Sequence, residues 1–254
     1  MRPVAHLVTL TAALAAACAH AAPLPSPGPA AAGGALQAVV VVTGDWSAVP
    51  GTLRRFERAS AGDAWRETGG EIPVVVGKGG LGWGIGLHGG PPSLPGPVKH
   101  EGDGRAPAGI FRLGSAFGYA PAAEVPWVRL PYIHSTDVWK CVDDTASRYY
   151  NQLVDESTAR KDWQSHENMR LTSDAYRLGV VVEHNSREQT SPGGGSCIFL
   201  HIWGGPGSST VGCTAMAPAD IEALLHWLDP ARSPVLVQLP REQYRLLRRE
   251  WRLP

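Results

Sequence analysis

No run in this 254-residue chain reaches the roughly 18 consecutive apolar residues that a membrane-crossing helix needs. Charge of one sign is not in excess either. The 23 Lys+Arg balance 23 Asp+Glu, so the basic footprint of a nucleic-acid binder is missing. The one basic run, REQYRLLRREWRLP, is broken by Glu242 and Glu250 and reads as the solvated face of a last helix. Metal motifs are missing as well. The segment HENMR lacks the second histidine of H-E-x-x-H, no C-x-x-C occurs, and the nine histidines are scattered. A G-x-S-x-G serine elbow is absent. Gly77, Gly79 and Gly82 do spell G-x-G-x-x-G, but the sequence that follows, WGIGLHGGPPSLPGP, cannot form the helix that would bind a pyrophosphate, so no nucleotide is expected.

What is present begins with an export signal. Arg2 precedes LVTLTAALAAA, too short to span a bilayer but suited to a secretory core, and Ala19 and Ala21 place a cut after residue 21. A lipoprotein cut before Cys18 competes less well, because Ala15 replaces the large aliphatic residue such a site prefers. Residues 22–36, rich in Pro, Ala and Gly, read as a flexible tether, and 37–254 as one domain, exported to the periplasm or cell envelope. After the cut three cysteines remain, Cys141, Cys197 and Cys213. In an oxidising compartment at most one bridge forms, and at least one thiol stays free or pairs between molecules. A Cys141–Cys197 bridge would leave Cys213 free, though all three pairings are open.

Strand-like runs recur between Gly- and Pro-rich turns: LQAVVVVTGDW, GTLRRFERA, EIPVVVGK, GIFRLG, VPWVRLPYI, YRLGVVVEHN and SCIFLHIW. They predict a mainly β (α+β) sandwich or barrel-like body with a few peripheral helices. Two helices are expected near the C-terminus, one from Pro218 with Ile221, Leu224, Leu225 and Leu228 at helical spacing, the other in PREQYRLLRREW. Residues 140–175 are polar and weakly periodic and read as a long insertion with one short helix, either a lid or packing filler.

The chemistry concentrates in FLHIWGGPGSSTVGCTAM. His201 ends an apolar strand, and twelve residues later Gly212 introduces Cys213 shortly before a helix. An imidazole within reach would favour the thiolate, and a glycine there lets backbone amides aim at an oxyanion. Around these residues the chain resembles the L,D-transpeptidases of bacterial cell walls, with their YkuD-type catalytic domain. The resemblance rests on His201 followed by Thr210-Val211-Gly212-Cys213-Thr214, on KHEGDGRAPAGIFRLG with Pro107, Gly109 and Phe111 in register, and on YYN, KDWQSHENM and SCIFLHIW. It implies Cys213 as nucleophile, His201 as general base and acid, and the amides of Gly212 and Cys213 as oxyanion donors. Thr210 is a candidate substrate contact. The partners implied are peptidoglycan stem peptides, joined by 3→3 cross-links with release of D-Ala, and no cofactor or metal.

Two positions depart from the family pattern. Ala215 stands where many members have arginine, and Val211 where many have histidine, so substrate-carboxylate and oxyanion support must come from Lys99, Arg105 or the insertion. The acceptor could instead be water or a D-amino acid, giving a carboxypeptidase, a cross-link hydrolase or an exchange enzyme. A non-catalytic wall-binding domain would require Cys213 to be tied up in a disulfide.

Overall fold

The computed structural model describes residues 32–89, 92–186 and 190–254. The expected signal segment and most of the tether lie outside these residues. The first six strands are β1 (Gln37–Thr43), β2 (Pro50–Glu57), β3 (Arg66–Val75), β4 (Leu81–Trp83), β5 (Ala106–Gly118) and β6 (Tyr132–His134). Three short strands of the insertion follow: β7 (Trp139–Cys141), β8 (Leu153–Asp155) and β9 (Glu167–Asn168). The chain returns to the body with β10 (Leu178–Val182), β11 (Phe199–Ile202) and β12 (Thr214–Met216), then α1 (Pro218–Trp227), β13 (Val235–Pro240) and α2 (Arg241–Leu247).

The order β10-β11-β12-β3-β2-β1-β13-β5 closes on itself because β5 also pairs with β10, so the body is a closed barrel. Two neighbouring pairs, β11–β12 and β1–β13, are parallel, and the other ring contacts are antiparallel. β4 and β6 extend β5 at its two ends, both parallel to it. The β-branched run of β1 is buried almost throughout, as expected of a strand covered on both faces. The mainly β expectation is correct, and both C-terminal helices form. In α1, Ile221, Leu224 and Leu225 face the core and Pro218 occupies the first turn, where its missing amide costs nothing. Among the described residues no helix is long and apolar enough to cross a membrane.

Several boundaries differ from the sequence expectation. Residues 32–36 belong to the folded body rather than to the tether: Ala32 and Ala35 are buried, and the Arg58 guanidinium gathers the carbonyls of Ala32, Gly33 and Ala35. VPWVRLPYI yields a strand only at its end, in β6, because its prolines interrupt pairing. The insertion carries the small antiparallel sheet β8-β7-β9 and a single 3-10 turn at Asp174–Tyr176, not an α-helix. After Gly77 the chain runs into β4, a strand, as the rejection of a dinucleotide motif requires. A side chain at Gly77 would press within 2.3 Å of the Gly104 carbonyl, so that glycine serves a close approach of two backbones.

Candidate active site

The parallel pair β11–β12 fixes the centre of the site. His201 on β11 stands in register with Ala215 on β12, and Cys213 immediately precedes β12. The connecting loop is sewn to the barrel through Thr210. Its amide donates to the Val76 carbonyl at 3.1 Å, and the Lys78 amide donates to its carbonyl at 2.8 Å. The Thr210 hydroxyl donates to the Cys213 carbonyl at 2.6 Å and accepts from the Gly212 amide at 3.1 Å. Thr210 therefore sets the loop that presents the thiol. The Gly212 amide, expected as an oxyanion donor, is occupied by this hydroxyl, so a two-amide oxyanion hole would require the Thr210 side chain to yield.

Cys213 is the free cysteine, since Cys141 and Cys197 are bonded to each other. The residue is 4% exposed, and its sulfur accepts from the Phe199 amide at 3.3 Å and lies 3.5 Å from the Cys197 carbonyl. Tyr176 lines the same small cavity as the thiol. Burial pushes the thiol well above its usual range, and the Glu167 carboxylate adds to that; the Phe199 amide, the Lys99 charge and Tyr176 pull the other way.

His201 places Nδ1 2.8 Å from the Ile202 carbonyl, an acceptor, so Nδ1 carries the proton and Nε2 is the basic nitrogen. Burial lowers its pKa against the pull of the Ile202 and Ala175 carbonyls, which keeps the ring neutral near pH 7. Its face meets the Tyr176 ring edge-on at 5.2 Å.

Two cavities open on the sulfur. One, of about 230 Å³, is lined by His201, Tyr176, Trp203, Thr210 and Ala215 among others. The second, of about 420 Å³, is charged, with Lys78, Lys99, Glu101, Asp143, His166 and Glu167 around it. Cys213 and Val211 line both, and Val211 stands 70% exposed between them. The structure separates the two cations weighed as substitutes for the missing arginine. Lys99 is at the site, its ammonium paired with Asp103 at 2.6 Å. Arg105 is turned away into the barrel wall, donating to the carbonyls of Gly79 at 2.6 Å and Leu81 at 2.9 Å. Ala215, where the arginine would be, is wholly buried between β11 and β3, with no room for a long side chain.

The insertion contributes residues that the sequence did not single out. Cys141 at the end of β7 is bonded to Cys197, which holds a positive φ of 55° and donates its amide to Asn151 Oδ1 at 2.9 Å. On the neighbouring strand, Glu167 accepts the Tyr176 hydroxyl in a short hydrogen bond. Burial raises its carboxyl to about 7, against the Tyr176 bond, with the charges of Asp143 and Glu101 pushing the same way as burial. Asp143 Oδ1 and His166 Nδ1 are buried without a hydrogen-bond partner. In the sequence the available signal was the spacing of Glu167 and Tyr176 within a polar segment, which carries no chemistry until the fold brings both to the thiol. Among the described residues no cluster of His, Cys, Asp and Glu is arranged to hold a metal.

A profile of the YkuD L,D-transpeptidase catalytic domain matches residues 63–237, a span holding the thiol, the imidazole and the whole insertion. No curated protein and no solved structure matches the chain.

Proposed function

The chain belongs to the L,D-transpeptidase catalytic-domain family, and on that premise we propose that it is an exported cysteine acyltransferase forming 3→3 cross-links between peptidoglycan stem peptides. The observation that carries this reading is the placement of one free thiol and one neutral imidazole on the same small cavity, with the other two cysteines bonded to each other. That bridge fits an oxidising compartment and so supports export.

In this reading His201 Nε2 takes the thiol proton as the sulfur attacks the carbonyl of the third stem residue, and returns it to the departing D-Ala amine. The buried thiol is a poor nucleophile at rest, so the proton moves only as bound donor displaces water and the attack proceeds. The Cys213 amide serves as oxyanion donor, with Lys99 supplying positive potential from the charged cavity. A second stem's amine then resolves the thioester. No nucleotide energy is needed, because the peptide bond broken is exchanged for the bond made.

The test is to incubate the purified chain with disaccharide tetrapeptide and follow D-Ala and dimer by mass spectrometry. D-Ala should appear together with a 3→3 dimer, and Cys213→Ala should release none. Release by Cys213→Ala at the parent rate overturns the nucleophile. Free tripeptide in place of dimer identifies water as the acceptor.

A further inference from the structure

The sulfur borders a second candidate proton carrier besides His201. Tyr176 shares the small cavity with Cys213 and donates to Glu167 on β9, so one hydroxyl links the carboxylate to the surroundings of the thiol. Glu167 and Cys213 both line the charged cavity, whereas His201 lines the other. The charged cavity is also chemically two-sided. Glu167, Glu101 and Asp143 attract an ammonium, and Lys99 and Lys78 attract a carboxylate. Glu101 is already held by Tyr150 at 2.6 Å and Ser196 at 2.8 Å, but Asp143 Oδ1 is buried and unpartnered. An unpaired carboxylate oxygen beside a nucleophile wants a cation. An amine with a neighbouring carboxylate, as at the side-chain centre of a diamino diacid, matches both sets of charges.

We propose that this cavity is the acceptor subsite, and that Glu167, linked to the surroundings of the sulfur through Tyr176, is the base for the attacking amine. The inference rests on the reading of Cys213 as the nucleophile, and it divides the cycle between two faces. On the first face His201 carries the thiol proton to the departing amine. On the second, the bound ammonium first releases one proton to solvent; the neutral nitrogen then bonds the thioester carbonyl carbon and gives a second proton to Glu167. As the carbon–sulfur bond breaks, Tyr176 donates its hydroxyl proton to the sulfur and takes the one held by Glu167. The thiol, the tyrosine and the carboxylate are restored, and no other reactant is required. The carboxyl's elevated pKa suits the task, since a base near the working pH both accepts and returns a proton. The charged groups facing Glu167 are Asp143, Glu101, His166, Lys99 and Tyr176, so its titration belongs to the cluster.

The experiment separates the two half-reactions on the full chain. A disaccharide tetrapeptide with its diamino-acid amine acetylated acylates Cys213 but cannot accept, and intact-mass spectrometry follows the thioester. Unblocked tetrapeptide then discharges it. With Glu167→Gln, thioester formation should stay within about threefold of the parent, while discharge slows by about a hundredfold and loses its pH midpoint near 7. Tyr176→Phe should slow discharge likewise, and Glu167→Asp should recover part of the rate. The proposal is overturned if formation and discharge fall equally in Glu167→Gln, which marks a structural residue, or if discharge keeps its rate or its pH midpoint. A parent that forms no thioester overturns the nucleophile itself, and the acceptor subsite with it.

Discussion

The carbonyl oxygen of Cys197 lies 3.5 Å from the sulfur of Cys213, so the disulfide that anchors the insertion ends beside the free thiol. The bridge joins residues 56 apart, β7 of the insertion to the approach of β11. Its neighbour Phe199 donates to the same sulfur. Cys141→Ser together with Cys197→Ser should cost about 4 kcal/mol, the chain entropy of a loop of this length. It should also cut D-Ala release, because two of the thiol's contacts come from the freed segment. Urea unfolding and a release assay measure the two effects. A double variant as stable and as active as the parent would show that the bridge neither braces the fold nor sets the thiol.

Lys99 and Arg105 should behave oppositely. Lys99 lowers the Cys213 thiol, so Lys99→Met should slow alkylation of that thiol by about tenfold per unit of pKa regained. Arg105→Met removes hydrogen bonds to the carbonyls of Gly79 and Leu81 and should cost about 2 kcal/mol of stability while leaving alkylation alone. Iodoacetamide kinetics beside thermal melts would reveal either variant acting through the wrong property.

Glu167→Gln should make the resting thiol more reactive. The carboxylate raises the thiol's pKa, so removing its charge lowers that pKa and enlarges the thiolate fraction at pH 8. The expected outcome is labelling several-fold faster than the parent, although acyl transfer becomes slower. Slower labelling would mean that Glu167 already holds the thiol's proton in the resting protein.

Acid should loosen the barrel through two buried histidines. His184 accepts from the Ile85 amide and donates to the Gly194 carbonyl, and His88 is held between Ile110 and Gly84. Burial drops both to about 4, so the unfolded chain binds protons near pH 6.5 that the folded chain refuses. Their stabilisation is complete above 6.5 and is lost as pH falls toward 4. Each should cost about 2 kcal/mol between pH 7.5 and 5. Glu167, raised to about 7, works in the opposite sense over that window, so the loss is read most cleanly with Glu167→Gln in the background. Flat stability between those pH values in that variant would contradict the assignment.

The sequence exposed what depends on local pattern. β-branched runs marked most of the ring strands, apolar residues three and four apart marked α1, and the cysteine count pointed to the loop that carries the free thiol. It did not expose β13, whose six buried residues sit in a short run between two proline turns. Nor did it expose β12, three residues long and defined only by its neighbours β11 and β3. The insertion was least readable. Its strands are two or three residues each, below any periodicity, and what gives Glu167 its chemistry is a tyrosine nine residues on and a cysteine 46 residues on. Thr210 was singled out for substrate contact; its hydrogen bonds to Gly212 and Cys213 also brace the loop, a use set by the fold.

Val211 has a consequence for kinetic order. A ridge with one cavity on each flank gives arrival and departure separate doors to a single sulfur. The first product need not vacate before the second reactant docks, so both berths can be filled while the thioester lives. Initial-rate lines at varied donor and acceptor should run parallel, as a thioester formed before the acceptor reacts requires, while excess donor should not shut out the acceptor, with residue 211 as the doorpost that sets how near two occupants stand.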